Sequence, residues 1–85
     1  MRVTIRLGEP FWRAAGQRVA IIALGESATV AQAIAVLARR YPSLAPELNS
    51  DEIKPALFVN DEEARPESPL AEGATLHIVW PVSGG

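Results

Sequence analysis

The stretch Thr29–Pro42, TVAQAIAVLARRYP, decides the fold, because it reads as the one long amphipathic helix of the chain. Thr29 followed three residues later by Gln32 is a capping-box pair: the hydroxyl accepts the Gln32 backbone N–H, and the Gln32 amide reaches back to Thr29. Val30, Ile34, Leu37 and Tyr41, with Ala38 between them, recur at spacings of four, three and four. They form an apolar stripe suited to covering a sheet. Arg39 and Arg40 suit the negative end of the helix, and Pro42 forbids continuation, so the helix ends near Arg40.

The residues before it read as a hairpin. Arg2 to Leu7 places Val3, Ile5 and Leu7 on one face and Arg2, Thr4 and Arg6 on the other, the alternation of a strand buried on one side. Gly8, Glu9, Pro10 and Gly16 bracket a connection that carries Phe11 and Trp12, and Gln17 to Leu24 resumes as a second strand. Its inward face is open between Val19, Ile21, Ala23 and Ala20, Ile22, Leu24. Phe11 and Trp12 fit exposed contacts and a cap on the core equally well.

Beyond the helix, Pro42, Pro46, Asn49, Ser50 and Pro55 punctuate an irregular connector in which Leu44, Leu48 and Ile53 reach back to the core. Ala56 to Asn60 is a short strand with Leu57 and Val59 on one face and Phe58 on the other. Asn60, Asp61, Glu62 and Glu63 make a polar turn. Pro66, Pro69 and Gly73 then break a weak element around Leu70, which plugs the core. Thr75 to Trp80 is the last strand, alternating Leu76, Ile78 and Trp80 against Thr75, His77 and Val79. The order is β, β, α, β, a weak element, β. Layer logic makes this an α+β sheet with its helix on one side and the other face open.

Composition narrows the function. A chain of 85 residues, 48% apolar, suits one small domain over residues 1–85. Eight basic against ten acidic residues give a net charge of −2, which disfavours nucleic acid and anionic membranes as partners. There is no cysteine, hence no disulfide framework and no thiolate zinc site, and a cytoplasmic location is expected. The uncharged run from Ser27 to Ala38 falls short of a membrane span, and the alternating N-terminus lacks the apolar block of a signal peptide.

Catalytic patterns are missing. His77 is the only histidine, and no nucleophile, base and acid stand in a recognisable relation, so independent catalysis is not expected. His77 reads first as a partly exposed sheet residue. Asp61, Glu62 and Glu63 read as a solvated turn, since hard-cation sites need ligands at defined positions. Gly8 and Gly16 match no phosphate-binding loop. Against this background the end Trp80-Pro81-Val82-Ser83-Gly84-Gly85 stands out. Pro81 has no amide hydrogen and ends sheet pairing, which makes residues 81–85 a flexible tail. Fully extended, five residues reach roughly 17 Å. Gly84 and Gly85 carry no side chains, so they fit a channel only as wide as the backbone. The plainer reading is a frayed end.

In these segments the chain resembles the MoaD/ThiS sulfur-carrier family. The resemblance rests on the helix from Thr29 to Pro42, on Phe58-Val59-Asn60, on Pro69-Leu70-Ala71-Glu72-Gly73-Ala74-Thr75-Leu76, and on Pro81-Val82-Ser83-Gly84-Gly85. Trp80 stands where the family often has the first of two prolines. The resemblance implies a ubiquitin-like β-grasp with a mixed sheet of four to five strands and one main helix on one face. It also implies a sulfur carrier acting as the small subunit of a molybdopterin synthase. Gly85 would be adenylated by an E1-like enzyme using ATP, then converted by a persulfide donor to a thiocarboxylate that serves dithiolene formation. A free carboxylate, ionised at neutral pH, is a poor electrophile and needs that activation. No cofactor is expected on this chain itself. The implied partners are the large synthase subunit, the E1-like enzyme and the persulfide donor. Phe58, His77 and Val79 on the open face, with Pro81, Val82 and Ser83, are the expected partner contacts, and Gly84 threads the tail. The alternatives are sulfur delivery to thiamine, cysteine or tRNA, a ubiquitin-like protein modifier, and a binding module whose glycines are incidental.

Overall fold

A computed structural model describes residues 1–48 and 54–81. The expected first strand is β1, Arg2–Leu7, and it buries Val3, Ile5 and Leu7 as its alternation requires. The bracketed connection contains a helix, α1, Phe11–Ala15, which no local hydrophobic period signals. It ends at Gly16, whose φ of 76° is open to glycine and whose N–H donates to the Trp12 carbonyl at 2.8 Å. Propensity alone does not hold five residues in a helix. Phe11 does, by burying its ring completely in the core.

Strand β2, Val19–Ala23, pairs antiparallel with β1 and settles the open register. Ala20 and Ile22 face the core, while Val19 and Ile21 are 40% and 55% exposed. Helix α2, Val30–Arg40, begins and ends where expected. The capping box is formed: Gln32 N–H donates to Thr29 Oγ1 at 3.4 Å, and Thr29 N–H donates to Gln32 Oε1 at 2.8 Å. The buried line along the helix runs through Val30, Ala33 and Leu37, with Ile34 and Tyr41 half-buried at its flank. The buried stripe therefore includes Ala33, while the larger Ile34 packs against the edge of the core.

The connector after α2 is more regular than its prolines suggest. A 3₁₀ turn, Pro42–Leu44, leads into α3, Ala45–Leu48, and Leu44 and Leu48 are buried as expected. The third expected anchor, Ile53, and the turn residues Asn49 and Ser50 lie outside the described residues. Strand β3, Ala56–Val59, then turns through Asn60 and Asp61 into β4, Glu62–Ala64. Only the first half of the expected polar turn is therefore a turn. Glu62 and Glu63 form a strand by backbone pairing with Val59 and Phe58, which needs no apolar alternation. The segment around Leu70 adds only an isolated bridge between Thr29 and Pro69, and Leu70 is buried.

Strand β5, Thr75–Val79, completes a mixed sheet in the order β2-β1-β5-β3-β4. It runs parallel to β1 and antiparallel to β3. The core lies between the sheet and α2 and is built from Val3, Ile5, Ile22, Leu37, Leu76 and Ile78, with Phe11 and Leu44 closing one end.

Candidate functional site

The end of β5, where Pro81 leads into the last residues of the chain, is held from several sides. Gly8 N–H donates to the Ile78 carbonyl at 2.9 Å, which continues the parallel β1–β5 pairing to the end of the strand. A Cβ at Gly8 would lie 3.3 Å from Val79 Cγ1, so the bare backbone permits this close approach. Trp80 packs on Phe11 with ring centroids 5.9 Å apart and planes at 44°. Phe11 is thus a core residue and also the support for the residue that precedes Pro81. Trp12 is half-buried, with the Arg13 and Arg18 guanidinium carbons 5.1 and 4.4 Å from its ring centroid.

The open face carries the expected trio. Phe58 and His77 are direct cross-strand partners, and Val79 lies opposite Ala56. All three are half-buried, and with Asn60 and Asp61 they line a shallow depression of about 260 Å³. The registers extend this into a row across the whole sheet: Val19, Arg6, His77, Phe58, Glu63. Sequence reasoning missed Val19 and Ile21 as members of this face. Their signal was present, but both alternations of the second strand are apolar and only the pairing with β1 separates them.

Pro81 is half-buried at the end of the described chain. Val82, Ser83, Gly84 and Gly85, the expected tail, lie outside the described residues. Among the described residues no three metal-ligating side chains cluster, and no helix is long and apolar enough to cross a membrane. What the arrangement offers chemically is binding through an apolar and aromatic patch, placed on the strand from which the last residues depart.

The ThiS family profile matches residues 9–85, whereas no curated protein sequence matches the chain. Among solved structures, SAMP1 from Haloferax volcanii has a TM-score of 0.88 at 26% identity, covering 100% of both chains. A chain of the Amycolatopsis orientalis BexX/CysO complex gives 0.77 at 26% identity, covering 98% of this chain and 99% of that one. A chain from the complex of subunits 1 and 2 of molybdopterin-converting factor from Helicobacter pylori gives 0.65 at 21% identity, covering 100% of both. The fold is the ubiquitin-like β-grasp.

Proposed function

We propose, from the premise that this chain belongs to the ThiS family, that it is the small subunit of a molybdopterin synthase and carries sulfur as a thiocarboxylate on Gly85. The observation that supports this most directly is the placement of β5. This central strand carries His77 and Val79 on the open face and then leaves the sheet at Trp80 and Pro81, toward the Gly84-Gly85 end. A partner that covers the open face therefore lies beside the strand that delivers the tail.

The chemistry belongs mainly to the partners. An E1-like enzyme joins the Gly85 carboxylate to AMP, releasing pyrophosphate from ATP. A persulfide sulfur attacks the acyl carbon and AMP leaves, and a thiol then cleaves the resulting sulfur–sulfur bond to give the thiocarboxylate. This chain contributes docking through Phe58, His77 and Val79, continuation of that contact through Pro81, Val82 and Ser83, and passage of Gly84 through a narrow channel. The large synthase subunit supplies the pocket in which the terminal sulfur is transferred to the pterin. The two complexes named above each contain two different proteins, which accords with a carrier that works against a partner.

The test is intact-mass analysis of the protein isolated from its host, or treated with the activating enzyme, ATP and a persulfide donor. Replacement of one terminal oxygen by sulfur is expected, and an unchanged mass under both conditions would overturn the reading. Phe58→Asp places a charge in the half-buried patch and is expected to weaken binding of the large synthase subunit by roughly tenfold or more, as charge burial at an interface centre does. Titration calorimetry with that subunit reads this out. The likeness to SAMP1, a small archaeal modifier protein, favours a second reading, in which a lysine amine displaces AMP and forms an isopeptide with Gly85. Immunoblots of the host would then show ladders on other proteins that vanish when Gly85 is removed.

A further inference from the structure

Strand β2 is the end strand on one side of the sheet. Leu7 N–H donates to the Arg18 carbonyl at 2.8 Å, and Leu24 N–H donates to the Met1 carbonyl at 2.7 Å. With the pairs Val3–Ile22 and Ile5–Ala20 between them, the even-numbered residues of β2 spend their backbone groups on β1. The alternation of an antiparallel ladder turns the N–H and C=O groups of Val19, Ile21 and Ala23 outward. The other end strand, β4, is only three residues long and includes Glu62 and Glu63. The β2 edge is five residues long, uncharged, and carries the exposed Val19 and Ile21, a combination that templates strand pairing.

One outward acceptor on this edge is already occupied. Arg40, the last residue of α2, donates from Nη1 to the Ile21 carbonyl at 2.9 Å. We propose that the outer edge of β2 is a self-pairing surface for a second copy of this chain, and that Arg40 is the latch that keeps it closed. The sequence of the edge matches itself. A two-fold axis at Ile21 sets Val19 against Ala23 and Ile21 against Ile21, so that every outward N–H and C=O finds a partner. The same register places Arg18 opposite the second copy's Leu24 and diagonal to the second copy's Glu26, an attraction that repeats at both ends. No like charges oppose one another along the strand. The central hydrogen bonds of this pairing use the Ile21 carbonyls, the acceptors that the two Arg40 side chains hold. Pairing at β2 leaves β5 and the Phe58 patch uncovered, so it is separate from the carrier reading.

The test is sedimentation velocity over a concentration series of the full chain, with amide hydrogen exchange alongside. Arg40→Ala is expected to dimerise with a dissociation constant lower than that of the wild type by roughly tenfold, the effect of freeing one hydrogen-bond acceptor at each copy. The Val19 and Ile21 amides should exchange freely in the wild-type monomer and become protected in the Arg40→Ala dimer. Adding Ile21→Lys, which sets two ammonium groups face to face, should return that variant to monomer, and Arg39→Ala should match the wild type. A folded Arg40→Ala chain that dimerises no more than the wild type overturns the proposal, as does a dimer that Ile21→Lys fails to dissolve. Should Arg40→Ala fail to fold, Arg40→Gln takes its place. Protection of the Val19 and Ile21 amides in the wild-type monomer overturns the proposal without any variant.

Discussion

Asn60 shows how much a single residue contributes at the turn from β3 to β4. Its φ of 56° lies in the left-handed region, which asparagine tolerates better than most residues. Its N–H donates to the Thr75 carbonyl at 2.8 Å, and its Oδ1 accepts the Thr75 N–H at 3.2 Å. Asn60→Gly keeps the backbone conformation and loses the side-chain bond, for an expected cost of about 0.5–1.5 kcal/mol. Asn60→Val adds the strain of a β-branched residue at positive φ, of order 1–3 kcal/mol more. Urea unfolding of the two variants measures both terms, and equal stabilities would contradict this account. Residues of this kind were only partly legible in the sequence. Asn60 announced a turn, but its link to Thr75 spans 15 positions. Phe11 was undecided for the same reason: its partner Trp80 is distant in the chain, and neither residue has a local pattern that reveals the contact.

Among the elements, α2 was the most legible because its signals are local. The Thr29–Gln32 box, the two terminal arginines and Pro42 each act within a few residues, and the helix follows them at both ends. Thr29→Ala removes the acceptor for the Gln32 N–H and is expected to destabilise the protein by about 1 kcal/mol. A thermal melt lowered by several degrees is the expected readout for a chain of this size. Elements that depend on distant partners were hidden. Helix α1 exists because Phe11 is buried, and β4 exists because the chain folds back on β3. Neither has a hydrophobic period of its own. The segment around Leu70 shows the converse: its apolar anchor was readable, yet its prolines keep it out of the ladder apart from the single Thr29–Pro69 bridge.

At the scale of the molecule, the sequence indicated a sheet with one covered face, and it indicated Phe58, His77 and Val79 as members of the other. It did not indicate that β1 and β5, the two ends of the chain's strand order, lie side by side and parallel. That pairing depends on which strands share the cover of α2, a property no local window contains. The buried core of the described residues ends at Ile78. Removing Gly84 and Gly85 is therefore expected to shift the melting temperature little, whereas under the proposed carrier function it abolishes loading of the terminus, and calorimetry with mass spectrometry separates the two effects. A large fall in stability would show that these residues serve the fold.

Because β5 is bonded to β1 on one side and to β3 on the other, a force applied to the C-terminus of the chain loads two ladders lengthwise. Their hydrogen bonds must yield together in shear, since no outer strand can peel away first. Single-molecule extension from the C-terminus should accordingly meet much higher rupture forces than extension that pulls β4 sideways off the sheet. An enzyme that grips and withdraws the last residues can do so without unravelling the body that bears them.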